Sequence, residues 1–362
     1  MAIRKRPRVA VIAMGGTIAG VCAEETDTHT YKAGVRTLEQ ILAGAPELYN
    51  IANIIAIPCQ NKGGPDITFS NAIQLVWAIR QAHKQGAVGA VALIGTDILS
   101  EAACIVDMLV GRGIIVAMTG AIRPGNARGS DGLHHLGCSV RLVIDPQARD
   151  RGVLVPFTDS IHSAWNVVKR YAHQPNAFDS GMPGTLGCFV DSLPLFYRRP
   201  CIPMDKREFD FDSLFPMGQC PEDLPQVDIE LCHMDASADK IEDSVRRGVR
   251  GIILAGLGAG SWPTKVGQAV QRIKNERGNE IIFVASRQPE GYVQDGMYGL
   301  GECCIPSGFF DPLRSRLLLI LCLVARYDEW EIRKVFDPRH EGVGPSCAEG
   351  CRCGKKEPRA RI

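Results

Sequence analysis

Four short segments, Arg8–Met14, Val88–Ile94, Ile114–Thr119 and Val153–Pro156, are near-continuous runs of apolar and β-branched residues. A strand with one wet face alternates polar and apolar residues, whereas a strand covered on both faces does not. Such runs therefore predict central strands of a parallel sheet with helices on either side. The stretches between them fit. Ile73, Val76, Trp77 and Arg80 mark a helix with one apolar stripe, with Thr68 and Ser70 as available caps and Gly86 just past its end. Ser100–Val110 reads as a second helix, stopped by Gly111 and Gly113. Strand, crossover helix and parallel strand in repetition is the doubly wound α/β pattern.

At 362 residues the chain exceeds what one hydrophobic core usually serves. The expected division is a larger N-terminal α/β domain over residues 1–200 and a linker over 201–225. A smaller C-terminal α/β domain follows over 226–336. Prolines at 200, 203, 216, 221 and 225 break the periodicity in the linker, as a domain connection would. Alternation resumes with Val227–Cys232, Ile241–Arg247, Gly251–Ala255, Thr264–Lys274, Ile281–Ala285 and a buried helix at Leu313–Val324. The segment 337–362, rich in Gly, Pro, Cys and charge, reads as a disordered tail.

Charge and hydropathy narrow the function classes. A formal charge of +1, with 45% hydrophobic and 22% charged residues, argues against a nucleic-acid binder. No apolar run reaches the roughly 18 residues that a bilayer span needs. The apolar stretch after the basic start ends at Gly15-Gly16, too early for a secretory core, so a cytoplasmic protein is expected. The 14 cysteines, among them Cys104, Cys188, Cys232 and Cys322, then read as reduced thiols. Cys347, Cys351, Cys353 and His340 lack a standard zinc spacing, and His134-His135 and Cys303-Cys304 would point to opposite faces if extended. No metal or cofactor is therefore expected.

Three segments at predicted strand ends could do chemistry. The first is Met14-Gly15-Gly16-Thr17-Ile18-Ala19-Gly20, which lacks the Rossmann G-x-G-x-x-G and the Walker lysine. It is either a plain strand-to-helix turn or a place where a hydroxyl meets a ligand at the carboxyl end of a strand. The second is Ile94-Gly95-Thr96-Asp97, with Glu101 following. On its own it reads as a helix N-cap, worth about 1 kcal/mol. The third is Phe157-Thr158-Asp159, with Lys169 ten residues on. Most lysines are solvated, but one buried beside a threonine could serve as a base or depress the hydroxyl's pKa.

Taken in order, these segments resemble the bacterial-type L-asparaginases and glutaminase-asparaginases. Met14–Gly20 resembles the first threonine signature of that family and Gly95-Thr96-Asp97 the second. Ala121-Ile122-Arg123-Pro124 with Ser130-Asp131-Gly132 resembles the segment after the next strand. Arg151–Val155, Asp159 with Lys169, Ala255–Gly258, Ser286-Arg287 and Ser307-Gly308 with Pro312 follow in sequence, so the likeness runs from about residue 8 to 336. The resemblance implies Thr17 as nucleophile, activated by Tyr31, which stands one residue later than the family spacing. It implies Thr96, Asp97 and Lys169 as a second cluster beside the scissile amide, with glycine-turn amides for the oxyanion. A homodimer or homotetramer is implied, each site being completed by a neighbouring small domain.

The head-group pocket departs from that pattern. Gly16, Gly64, Pro65, Asp66, Gly95 and Asp97 are the expected substrate-binding positions, but the places for Ser and Gln read Gly64 and Pro65. A proline has no donor and a glycine no side chain, so two hydrogen bonds to an amino-acid head group are missing. In the smaller domain the family's Gly-Asn-Gly is Gly258-Ala259-Gly260, and the acidic residue lent by a neighbour has only Glu290 and Asp295 as nearby possibilities. Three readings stay open: hydrolysis of asparagine or a related β-amide, the same chemistry on another amide, lactam or cyclic imide, and a non-catalytic ligand binder.

Overall fold

The computed structural model describes residues 6–200, 209–287 and 291–336. β1 (Arg8–Gly15) runs into a tight turn and a two-stranded ribbon, β2 (Val21–Cys22) with β3 (Tyr31–Lys32). β4 (Asn53–Lys62) then lies parallel to β1 on one side. β5 (Gly89–Leu93), β6 (Ile115–Thr119) and β7 (Val153–Phe157) add in parallel on its other side. β8 (Ser160–Ser163) turns back antiparallel, and a second ribbon follows, β9 (Val168–Lys169) with β10 (Phe178–Asp179). β11 (Gly187–Val190) and β12 (Leu193–Phe196) complete an eight-stranded sheet in the order β12-β11-β8-β7-β6-β5-β1-β4.

The apolar runs form strands because both faces are covered. In β1, Ala10, Ile12 and Met14 enter the core shared with helices Phe69–Lys84 and Leu99–Leu109. Val9, Val11 and Ala13 enter the opposite core with helices Leu38–Ala43 and Gly132–Ile144. Full burial of a Val, Ile or Met side chain contributes about 1.5–3 kcal/mol, so exposing either face of β1 would cost a large share of the roughly 5–15 kcal/mol that holds a domain folded. Chain order reverses around β1: the first crossover goes to β4 and the next to β5. That reversal opens a crevice at the carboxyl ends of β1 and β5, the position where open α/β sheets bind ligands.

The smaller C-terminal α/β domain has a four-stranded parallel sheet in simple order: β13 (Val227–Leu231), β14 (Gly251–Gly256), β15 (Ile282–Arg287) and β16 (Ile305–Pro306). Helix Pro312–Val324 is covered on nearly every side, with Leu317–Cys322 buried in the same cluster as the large-sheet residues. Asp311 caps it, accepting from the Arg314 amide at 2.8 Å, and Pro312 occupies the first turn, where a missing N–H costs nothing.

The segment read as a linker lies partly outside the described residues. Its described part packs down: Phe209, Phe211 and Phe215 are buried in the main core, and Asp212 pairs with Arg80 at 2.6 Å. The tail at 337–362, with His340, Cys347, Cys351 and Cys353, lies outside the described residues altogether, as does Glu290. The ten described cysteines are free thiols. No helix among the described residues is long and apolar enough to cross a membrane.

Candidate active site

β1 delivers Gly15, Gly16 and Thr17 to the crevice. Gly15 and Gly16 have φ of 99° and 85°, a left-handed backbone that residues with a Cβ rarely adopt. Space makes the same demand. A Cβ on Gly16 would lie 2.4 Å from Gly95 Cα, and a Cβ on Gly95 would lie 2.5 Å from Gly64 Cα. The turns after β1, β5 and β4 thus abut through bare backbone, which brings Thr17, Thr96 and Gly64 to one place.

Thr17 is 7% exposed, and its Oγ1 lies 2.7 Å from the Tyr31 hydroxyl. The Tyr31 ring packs directly over Gly20, where a Cβ would come within 2.8 Å of Tyr31 Cδ2. Asn126 fixes the base of the ribbon that carries Tyr31. Its Oδ1 accepts from the Cys22 amide at 2.9 Å and its Nδ2 donates to the Cys22 carbonyl at 2.8 Å. The one-residue offset of Tyr31 therefore does not keep it from the threonine.

Thr96 is 4% exposed at the carboxyl end of β5. Lys169, on β9, donates from Nζ to Thr96 Oγ1 at 3.0 Å and to Asp97 Oδ1 at 2.7 Å. These are charge-assisted bonds, stronger than neutral ones. The N-cap reading of this segment does not hold. The cap of helix Leu99–Leu109 is Ile98, with no side-chain cap bond, because the Asp97 carboxylate turns to the lysine. Asp97 remains open, its side chain 55% exposed.

Of the remaining expected positions, Gly64 is buried against Asp97, where a Cβ would lie 3.1 Å from Asp97 Oδ2, while Pro65 and Asp66 are exposed. The Gly16 amide is withdrawn from the expected oxyanion set, since it donates to the Lys62 carbonyl at 2.8 Å. Asp295, one of the acidic residues considered for a neighbour's site, pairs within its own chain with Arg333 at 2.8 Å.

Three supporting residues had no role assigned from the sequence, although Asp131 lies in the Ser130-Asp131-Gly132 stretch. Asp131 sits at the N-terminus of helix Gly132–Ile144 but makes no cap bond there; it accepts the Ile122 and Arg123 amides at 3.0 Å each and so closes the loop after β6. His135 bridges the Gly120 carbonyl and the Thr158 amide, both at 3.0 Å, and burial lowers its pKa, in keeping with a neutral ring. Arg314, from the small domain, donates to the carbonyls of Ala164 at 3.2 Å and Val167 at 2.5 Å, just ahead of Lys169, and pairs with Asp311.

A buried hydroxyl with a tyrosine partner, on a turn that abuts the one carrying a hydroxyl–ammonium–carboxylate cluster at a sheet switch point, is the arrangement of a hydrolase-type α/β site. Two family models match the chain, "Asparaginase, N-terminal" over residues 8–201 and "Glutaminase/Asparaginase C-terminal domain" over 226–336. The chain belongs to the asparaginase/glutaminase family of amidohydrolases. It is 30% identical over 339 residues to L-asparaginase 2-3 of Saccharomyces cerevisiae, covering 93% of this chain and 91% of that one. It is 29% identical over 336 residues to the glutaminase-asparaginase of Acinetobacter glutaminasificans, covering 91% and 98%. Among solved structures, a probable cytoplasmic L-asparaginase from Campylobacter jejuni superposes with a TM-score of 0.82 at 29% identity, over 91% of this chain and 99% of that one.

Proposed function

We propose that the chain hydrolyses the side-chain amide of a small substrate, L-asparagine or a related β-amide, and releases ammonia. The observation that carries this reading is the pairing of Thr17 Oγ1 with Tyr31 at 2.7 Å beside a turn whose Thr96 holds Lys169 at 3.0 Å. An aliphatic hydroxyl is a poor nucleophile at neutral pH and needs a neighbour to take its proton. Tyr31 is placed to relay it, accepting the Thr17 proton while passing its own phenolic proton to solvent, as Thr17 Oγ1 attacks the amide carbon. The Gly95–Thr96 turn supplies the amides considered for the developing oxyanion. Lys169, steadied by Asp97, hands a proton through Thr96 to the departing ammonia. Water then attacks the Thr17 ester, one of its protons returning through Thr96 to Lys169 and the other restoring the Thr17 hydroxyl as the acid leaves.

Gly64 and Pro65 favour a second reading of the substrate, in which another amide, lactam or cyclic imide replaces free asparagine. A pocket that lacks a polar partner loses affinity for the ligand that needs it, with discrimination on the order of 10²-fold. A substrate panel separates the two: the highest kcat/KM on L-asparagine supports the first, and a higher value on an amide without a free amino-acid head group supports the second. The hydrolytic step itself is tested by Thr17→Ala. Ammonia release should vanish while the circular dichroism spectrum is kept, and unchanged turnover would refute it.

The open Asp97 carboxylate supports completion of the site by a second copy, as a homodimer or homotetramer. Sedimentation at micromolar concentration tests this, and a purely monomeric active species would exclude it. Free thiols throughout the described residues support a cytoplasmic setting.

A further inference from the structure

The third strand-end segment, Phe157-Thr158-Asp159, takes no part in the chemistry above. We propose that Asp159, together with His134 and Cys138, forms a binding site for one zinc-class divalent cation on the large domain.

His134 and Cys138 stand four residues apart on helix Gly132–Ile144, so they share a face, unlike the extended pair that His134-His135 suggested. His134 Nε2 lies 2.8 Å from Asp159 Oδ1 and 3.6 Å from Cys138 Sγ, and the three donor atoms lie within 4.8 Å of one another. A tetrahedral zinc with metal–nitrogen and metal–sulfur bonds of about 2.0 and 2.3 Å separates those donors by about 3.6 Å. The nitrogen–sulfur pair already has that spacing. The nitrogen–oxygen pair would open by about half an ångström, which two partly exposed side chains allow.

The donors are held in place from behind. Thr158 and Asp159 occupy the β7–β8 turn with φ of 39° and 56°. The Thr158 amide is fixed by His135 at 3.0 Å, and its hydroxyl donates to the Pro175 carbonyl at 2.6 Å. The Asp159 carbonyl accepts the Phe189 amide at 2.8 Å. One sulfur, one imidazole nitrogen and one carboxylate oxygen suit zinc or cobalt rather than magnesium or calcium, which prefer all-oxygen sets. Cys138 is itself a buried member of the large-domain core, so its sulfur is held at a fixed place beside the exposed His134–Asp159 pair. The fourth position faces solvent and would take a water. With strands about 4.8 Å apart, the end of β7 lies roughly 10 Å from the end of β5, so this site is separate from Thr96.

The test uses the full chain, reduced and stripped of metal, titrated with Co(II) and then Zn(II). One cobalt per chain should give visible bands of a tetrahedral ion and a near-ultraviolet thiolate band, both removed by zinc. Cys138→Ser should abolish the thiolate band, and His134→Ala or Asp159→Asn should weaken zinc binding roughly tenfold or more. All three variants should keep the far-ultraviolet spectrum of the parent. A thiolate band that persists in C138S, or zinc affinity unchanged in C138S and H134A, would overturn the proposal and assign any bound metal to other cysteines.

Discussion

The two sheets of this molecule are both parallel at their centres, and both end strands in glycine-rich turns, yet they offer different chemistry. In the large sheet the order reverses around β1, so the crossovers leave β1 and β5 in opposite directions while their first turns touch through Gly16 and Gly95, setting Thr17 and Thr96 at one crevice. In the small sheet the order β13-β14-β15-β16 never reverses, and the Gly256–Gly260 turn folds back on itself, Leu257 and Ser261 exchanging backbone bonds of 2.9 and 2.7 Å. The small domain is bound instead to the site's framework, through Arg314 and the buried face of helix Pro312–Val324. The difference teaches that strand-end turns become a site where the crossovers after them part to opposite faces of the sheet.

Predictions that would break or sharpen this contrast fall in order of size. Thr17→Ala should lower kcat roughly 10⁴-fold or more, as loss of a nucleophile does; a loss under tenfold would move the chemistry out of the crevice. Lys169→Met should lower kcat about 10²–10⁴-fold with a smaller change in KM, read from initial rates of ammonia release. Arg314→Met should destabilise the fold by about 3–5 kcal/mol in urea titrations, because it removes the guanidinium from Asp311 Oδ2 and from the Ala164 and Val167 carbonyls.

Next in size is a pH effect confined to the large domain. Burial holds the His162 imidazole down at about 4 against an ordinary 6.5, and the ring lies 2.8 Å from Ser180 Oγ. The folded chain thus binds fewer protons than the unfolded chain between those values. Its stabilising contribution is complete above pH 6.5 and is lost as pH falls toward 4, by about 3 kcal/mol in all. His162→Gln should flatten that acid-side slope of the urea midpoint. Smallest is Ser261→Ala in the small-domain turn, expected to change kcat/KM by less than about tenfold, the scale of one neutral hydrogen bond. A larger loss would give that turn a share in the chemistry.

What was legible in sequence follows the same physics. β1, β5, β6 and β7 are plain in the sequence because burial on both faces leaves runs with no polar interruption. β4 is not, since it is a half-exposed edge strand interrupted by Pro58. Helix Gly132–Ile144 carries glycines at 132 and 137 and β-branched residues near its end, and forms because its Leu136, Val140 and Val143 face the core. Thr68, and not Ser70, caps the helix after it. Residue types and strand ends made Thr17 a candidate, while Thr96, Asp97 and Lys169 took their roles from the family resemblance. The 2.7 Å approach of Tyr31, the reach of Arg314 across about 150 residues of chain and the His134–Cys138–Asp159 cluster depend on tertiary packing that no local spacing encodes.

The central claim is that the hydroxyl of Thr17, and not that of Thr96 on the abutting turn, bonds covalently to the substrate carbon. Time-resolved acid quenching during turnover of L-asparagine, followed by peptide mass spectrometry, tests it directly. The account predicts a substrate-derived acyl group on the peptide bearing Thr17, absent from the T17A variant. Acylation on the peptide bearing Thr96, with Thr17 unmodified, would contradict it.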